Sequence, residues 1–155
     1  MIPALISIPG APFRVLPPGI HWSALPDIEA RFSTNEHRAK LFAGFLSLAE
    51  ALQGAGCSTI YLDGSFVTEK QNPKDYDGCW DPTGVQFAKL DPVLLNFDNQ
   101  RAAQKAKYLG EMFPAMTGVP GKTFLDFFQI EKTTGQRKGI IGIRTSKEKP
   151  SNDYK

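Results

Sequence analysis

The stretch from Tyr61 to Asp81, YLDGSFVTEKQNPKDYDGCWD, decides the fold. A β-rich run leads directly into Asp63-Gly64-Ser65; after nine intervening residues come Asp75-Tyr76-Asp77. The breaker Asn72-Pro73 makes Asp75 to Trp80 read as a second strand, with room only for a turn or short helix between the two. In extended backbone, residues i and i+2 share a face about 6 to 7 Å apart. The carboxylates of Asp75 and Asp77 can therefore converge on one hard cation. A glycine lets a phosphate approach the backbone closely, and the Ser65 hydroxyl and the following amides can donate to its oxygens. A phosphate cradle beside a metal clamp points to nucleoside triphosphate chemistry.

Working outward, Ser58 to Leu62 is the strand that feeds Gly64. Upstream of it, Ser33 and Glu36 fit a capping box, and Leu41, Phe42, Phe45, Leu48, Ala49 and Leu52 recur at helical spacing until Gly54 and Gly56 stop the helix. The proline-rich residues 1–32, with the pair Pro17-Pro18, predict an extended arm wrapped on the core, with at most a short helix near Asp27 to Phe32. Downstream, Asp91-Pro92 is a helix entry and Asp98 a second N-cap candidate, followed by an apolar stripe of Ala102, Ala106, Leu109 and Phe113. Thr123 to Glu131 and Lys138 to Arg144 predict paired strands around Thr134-Gly135. Residues 146–155 read as a disordered tail. The fold class that follows is α/β: one domain over residues 33–145, a small mixed sheet flanked by helices.

At 155 residues the chain suits one hydrophobic core. Its net charge of +2 supplies no global field for a polyanion, so any nucleic-acid contact must rest on a local patch. Arg101, Lys105 and Tyr108 at i, i+4 and i+7 make one such face, suited to a triphosphate or an RNA acceptor. Lys70 and Lys74, in the loop between the motif halves, are within reach of a phosphate. Cys57 and Cys79 lack metal-ligand spacing and read as idle thiols in a reducing cytosol. His21 and His37 suggest neither a zinc site nor a triad. Trp22, Trp80 and the set Phe124, Phe127 and Phe128 read as packing residues. No run approaches the roughly 20 apolar residues of a membrane span, and the N-terminus lacks a basic, then apolar, leader, which predicts a cytoplasmic protein.

The hydrophobic residue, Gly-Ser, short gap and Asp-x-Asp order resembles the nucleotidyltransferase superfamily, the DNA polymerase beta-like fold. Among its branches the chain looks most like small stand-alone bacterial proteins similar to the minimal nucleotidyltransferases of toxin–antitoxin systems. The runs LDPVLLNF, KYLGEMFPA and FLDFFQI are similar to an uncharacterised bacterial family of predicted nucleotidyltransferases. Two positions depart from the superfamily pattern: Gly78 stands where a hydrophobic strand residue is usual, and Asp63 where one is common before the glycine.

The resemblance implies a magnesium-dependent enzyme that moves a nucleoside monophosphate from an NTP to a hydroxyl and releases pyrophosphate. Asp75 and Asp77 would bind two magnesium ions, and a third carboxylate is expected on a later strand. Leu125-Asp126-Phe127 fits that place best, with Glu131 as runner-up. Gly64 and Ser65 would hold the terminal phosphates, with Lys70, Arg101 and Lys105 assisting. The acceptor it implies is macromolecular, an RNA 3′ end or a protein side chain, and a cognate toxin or antitoxin is an implied partner. The rival reading is a non-catalytic module that keeps the fold and binds a nucleotide or a partner.

Overall fold

A five-stranded mixed sheet carries the molecule, in the order β1-β7-β2-β3-β4. The computed structural model describes residues 2–119 and 122–145. In chain order the elements are β1 (Gly19–Trp22), α1 (Leu25–Phe32), α2 (Glu36–Gly54), β2 (Thr59–Asp63), β3 (Tyr76–Trp80), α3 (Asp98–Tyr108), β4 (Gly110–Pro114), the small pair β5 (Gly118–Val119) and β6 (Lys122–Thr123), α4 (Phe124–Phe127) and β7 (Gly139–Arg144). Short 3-10 turns at Ser65–Val67 and Pro92–Leu95 join them. β2 lies antiparallel to both β3 and β7, while β1 runs parallel to β7 and β4 parallel to β3.

Alternation along the strands sorts side chains onto two faces. Ile60, Leu62, Tyr76, Trp80, Met112, Ile141 and Ile143 point to one face and meet α2, whose Leu41, Phe42, Phe45, Leu48, Ala49 and Leu52 are buried as the spacing predicts. Each large side chain in this layer contributes about 1.5–3 kcal/mol by leaving water. The other face is smaller: Cys79, Ile140, Ala115 and Phe128 form its core, with Tyr61, Phe113, Phe124 and Leu125 packed around them. α4 covers only part of it, and the uncovered end is where the polar residues gather.

Several expectations change. The proline-rich arm is not only a wrapping segment, because Gly19–Trp22 forms an edge strand and Leu16, Ile28 and Phe32 enter the main core. The N-cap of α2 is Asn35, whose side chain accepts from the Arg38 amide at 2.7 Å, and not Ser33. In α3 the stripe of Ala102 and Ala106 faces solvent; the inward side is Gln104 and Tyr108, with Arg101 and Lys105 half-buried beside them. Thr123–Glu131 is no strand, and the expected pairing around Thr134-Gly135 is reduced to one antiparallel bridge between Ile130 and Arg137. Thr123 and Asp126 close a capping box that starts α4, so β7 pairs with β1 and β2 instead. The tail at residues 146–155 lies outside the described residues.

Candidate functional site

At the uncovered end of the second face, three neighbouring strands each present a carboxylate. Asp63 is the last residue of β2 and pairs in register with Asp77 of β3; Asp77 pairs in turn with Glu111 of β4. Asp75 lies just before β3 and lines the same cavity as Asp77. A cavity of about 360 Å³ opens there, and among its lining are Gly64, Ser65, Lys70, Asp75 and Asp77. The two halves of the motif, apart in sequence, thus meet in one hollow.

Basic side chains neutralise the ends of this row. Lys138, just before β7 and largely shielded from solvent, donates to the buried Asp63. Arg101 Nε lies 2.5 Å from Glu111 Oε1, with Lys105 Nζ at 3.9 Å. The middle of the row is left different: Asp77 Oδ1 is buried and accepts no hydrogen bond. Burial first, then the neighbouring Asp63, push the Asp77 carboxyl well above the usual carboxylate range, against the opposing pull of Lys138. Asp75 is raised too, by burial and by Glu111.

Two glycines make this packing possible. Gly64 has φ +86°, and a Cβ there would stand 2.6 Å from Asp77 Oδ1. A Cβ at Gly78 would stand 2.0 Å from the Tyr61 carbonyl oxygen. Gly78 therefore answers the close approach of β2, a packing requirement that accounts for its departure from the usual strand residue.

Arg38 fixes the loop that follows Gly64. Its buried guanidinium donates to the carbonyls of Phe66 at 2.6 Å and Thr68 at 2.9 Å, and also to those of Phe32 and Lys70. The two histidines serve as tethers, His37 Nε2 lying 2.5 Å from the Pro73 oxygen and His21 Nε2 2.6 Å from that of Pro17.

Residues 11–144 match the model of a family of unknown function, DUF6932. The chain belongs to the DUF6932 family. No curated protein and no solved structure matches it. The matched span includes every residue of the carboxylate row and of the cavity lining in this DUF6932 protein.

Of the residues singled out in the sequence, Gly64, Ser65, Lys70, Asp75 and Asp77 come together. Asp126 does not join them: it is a helix-cap residue, its Oδ2 accepting from the Thr123 amide at 3.2 Å and from the Thr123 hydroxyl at 3.0 Å. Glu131 lines the cavity but spends one oxygen on the Thr134 amide at 2.7 Å. Arg101 and Lys105 flank the row through Glu111 and do not line the cavity. Tyr108, the third member of that helix face, is buried and donates to Asp91 at 2.5 Å. Asp63, Glu111, Lys138 and Arg38 are the site residues that sequence reading missed. Gly110, just past the left-handed Leu109 that ends α3, is the signal that would have exposed Glu111 as a strand residue.

Among the described residues no three His, Cys, Asp or Glu side chains already form a ligand set for a metal. Asp75 and Asp77 remain as donors once Lys138 and Arg101 have engaged their neighbours. That donor set fits magnesium, which is ordinarily held by one or two carboxylates plus phosphate and water oxygens. The unpartnered Asp77 oxygen is the feature that favours a cation here. No helix among the described residues is long and apolar enough to cross a membrane.

Proposed function

We propose that this DUF6932 protein is a magnesium-dependent nucleotidyltransferase that passes a nucleoside monophosphate from an NTP to a macromolecular hydroxyl. The observation that carries the reading is the meeting, in one cavity, of the Gly64-Ser65 turn with the Asp75–Asp77 pair, whose inner carboxylate has a buried oxygen without a partner. Magnesium, when bound, neutralises the triphosphate and lowers the pKa of the attacking hydroxyl.

The chain's own residues position and balance charge. Asp75 and Asp77 hold the cation; Gly64 admits the phosphates to the backbone, and Lys70 lines the same hollow as a cationic contact for them. Arg38 keeps the phosphate loop in one shape before substrate arrives, which is where a transfer reaction gains most from a protein. The acceptor oxygen forms a bond to the α-phosphorus, the bond from that phosphorus to the bridging oxygen breaks, pyrophosphate leaves, and the hydroxyl proton passes to solvent.

One observation favours a second reading, a non-catalytic nucleotide-binding module: Lys138 and Arg101 already neutralise Asp63 and Glu111. Calorimetric titration of the four NTPs, with and without magnesium, followed by transfer of α-labelled nucleotide to total RNA and to lysate protein, separates the two. Magnesium-dependent binding together with label on RNA or protein supports the transferase. Binding without transfer supports the module, and binding unchanged in Asp75→Ala, Asp77→Ala overturns the site itself.

A further inference from the structure

The cavity that holds the carboxylates has a second, chemically different wall. Besides Asp63, Asp75 and Asp77, the same cavity is lined by Phe13, Val15, Phe127 and Ile130. Two of these apolar side chains are unusually open to solvent, Phe127 at 60% and Ile130 at 39%. Single exposed apolar side chains are ordinary, but Phe127 and Ile130 line the same cavity and so form one apolar patch within it. Phe127 was expected to be a packing residue, and its neighbour Phe128 is one. The Phe127 ring meets the Phe128 ring edge-on at 5.3 Å and is thereby held in place while its outer surface stays free.

Phe13 is anchored as firmly. The adjacent Arg14 grips Glu69 through its main-chain amide and its Nε, both at 2.8 Å, and Val15 exchanges backbone bonds with Ile6 at 2.7 and 2.9 Å. The Lys70 ammonium lies 5.7 Å from the centre of the Phe13 ring. One lysine thus stands beside both the aromatic wall and the phosphate turn. About 360 Å³ lies at the low end of the 300–1,000 Å³ typical of small-ligand pockets, enough for one nucleotide and too little for an oligonucleotide.

We propose that the wall of Phe13, Phe127 and Ile130 takes the base of the nucleotide, stacking it on Phe127, while the carboxylate end takes the metal and phosphates. The inference rests on the proposed nucleotide site and assigns its other half. It makes the N-terminal arm and α4, neither of which belongs to the Gly-Ser and Asp-x-Asp motif, the parts that distinguish a nucleotide from a bare polyphosphate. Stacking on an aromatic face tolerates every base.

The test compares magnesium–ATP with magnesium–tripolyphosphate by calorimetry on the full chain. Wild type should bind ATP more tightly than tripolyphosphate. Phe127→Ala, a truncation of an exposed side chain that spares the core, should weaken ATP by about 5- to 150-fold, the range that loss of one stacked base represents, and leave tripolyphosphate unchanged. Phe127→Trp should restore ATP affinity. Tripolyphosphate binding as tightly as ATP, or ATP affinity unmoved in both Phe127→Ala and Phe13→Ala, overturns the stacking wall and leaves the phosphate and metal site standing. Failure of both ligands to bind overturns the proposed function, and the wall with it.

Discussion

Asp77 stands directly opposite Asp63 across the antiparallel register of β2 and β3, yet the Lys138 ammonium goes to Asp63. The buried Asp63 and the half-buried Asp77, whose Oδ1 is shut off from solvent, thus face each other with one fixed cation, held by Asp63. The arrangement sets up a charge conflict that the fold tolerates by raising the Asp77 carboxyl, and that a divalent ion would relieve. Asp63, a departure from the nucleotidyltransferase pattern in the sequence, is half of the ion pair that closes this end of the site.

Removing Lys138 should therefore cost stability out of proportion to one surface lysine. Lys138→Met leaves Asp63 buried without its cation and should lower unfolding free energy by about 3–5 kcal/mol. Asp63→Asn in the same chain should recover most of that loss, because no buried charge then remains unpaired. Urea denaturation of the single and double variants reads it directly; equal midpoints for the two would show that the pair carries no such burden.

Asp77 predicts a pH dependence whose sign follows from its raised carboxyl. The unfolded chain titrates this group near about 3.9, and below that value both states carry the proton. As pH rises through the elevated folded value, the folded state must ionise a buried group, so the contribution of Asp77 to stability is favourable in acid and lost toward neutrality. Asp77→Asn should match wild type near pH 4 and become the more stable of the two by about 1–3 kcal/mol toward pH 8, where a buried charge is exchanged for a neutral amide. Thermal unfolding across that range tests it, and a gap that closes with rising pH would reverse the assignment. Magnesium affinity of the wild type should rise over the same interval, since the cation displaces the proton.

Gly64 is held to glycine twice over, by its positive φ and by the carboxylate against its Cα. Gly64→Ala should shift Asp77 and weaken magnesium–ATP by at least tenfold, while Lys70→Ala, which removes one loop cation, should weaken it by less. The reverse order in a calorimetric titration would make the lysine the main phosphate anchor.

What the sequence made legible divides along physical lines. The apolar face of α2 repeats every three to four residues and is buried as read; β3 begins at Tyr76, one residue later than expected, and Asp75 and Asp77 line one cavity. β1 was hidden because Gly19–Trp22 is four residues long and its partner lies over a hundred residues away in β7, so pairing and not local preference makes it a strand. The aromatic run after Thr123 favours extended structure, but the Thr123–Asp126 capping box overrides it locally and turns the chain into α4. Reading the stripe of α3 through to Phe113 carried the helix across Gly110 and so concealed Glu111, the carboxylate that lies in register with Asp77. Arg101 and Lys105 look like a solvated basic face by spacing alone; only the fold turns them toward Glu111.

Glu111 and Asp126 now make opposite predictions as third carboxylates. Glu111 sits beside Asp77 in the β3–β4 register and holds Arg101 at the edge of the carboxylate row, so Glu111→Gln both removes a charge from the row and releases the guanidinium toward it. Transfer of labelled nucleotide should fall by about 10- to 100-fold, the scale on which groups that position a metal site act. Asp126 is bonded to Thr123 at the start of α4 and does not line the cavity, so its replacement touches the capping box. Asp126→Asn should leave transfer near the wild-type rate and lower stability by about 0.5–2 kcal/mol. Measuring both transfer and urea midpoint for each variant keeps the two effects apart. Loss of transfer in Asp126→Asn with an unchanged midpoint would return the third position to Asp126 and require α4 to move when substrate binds.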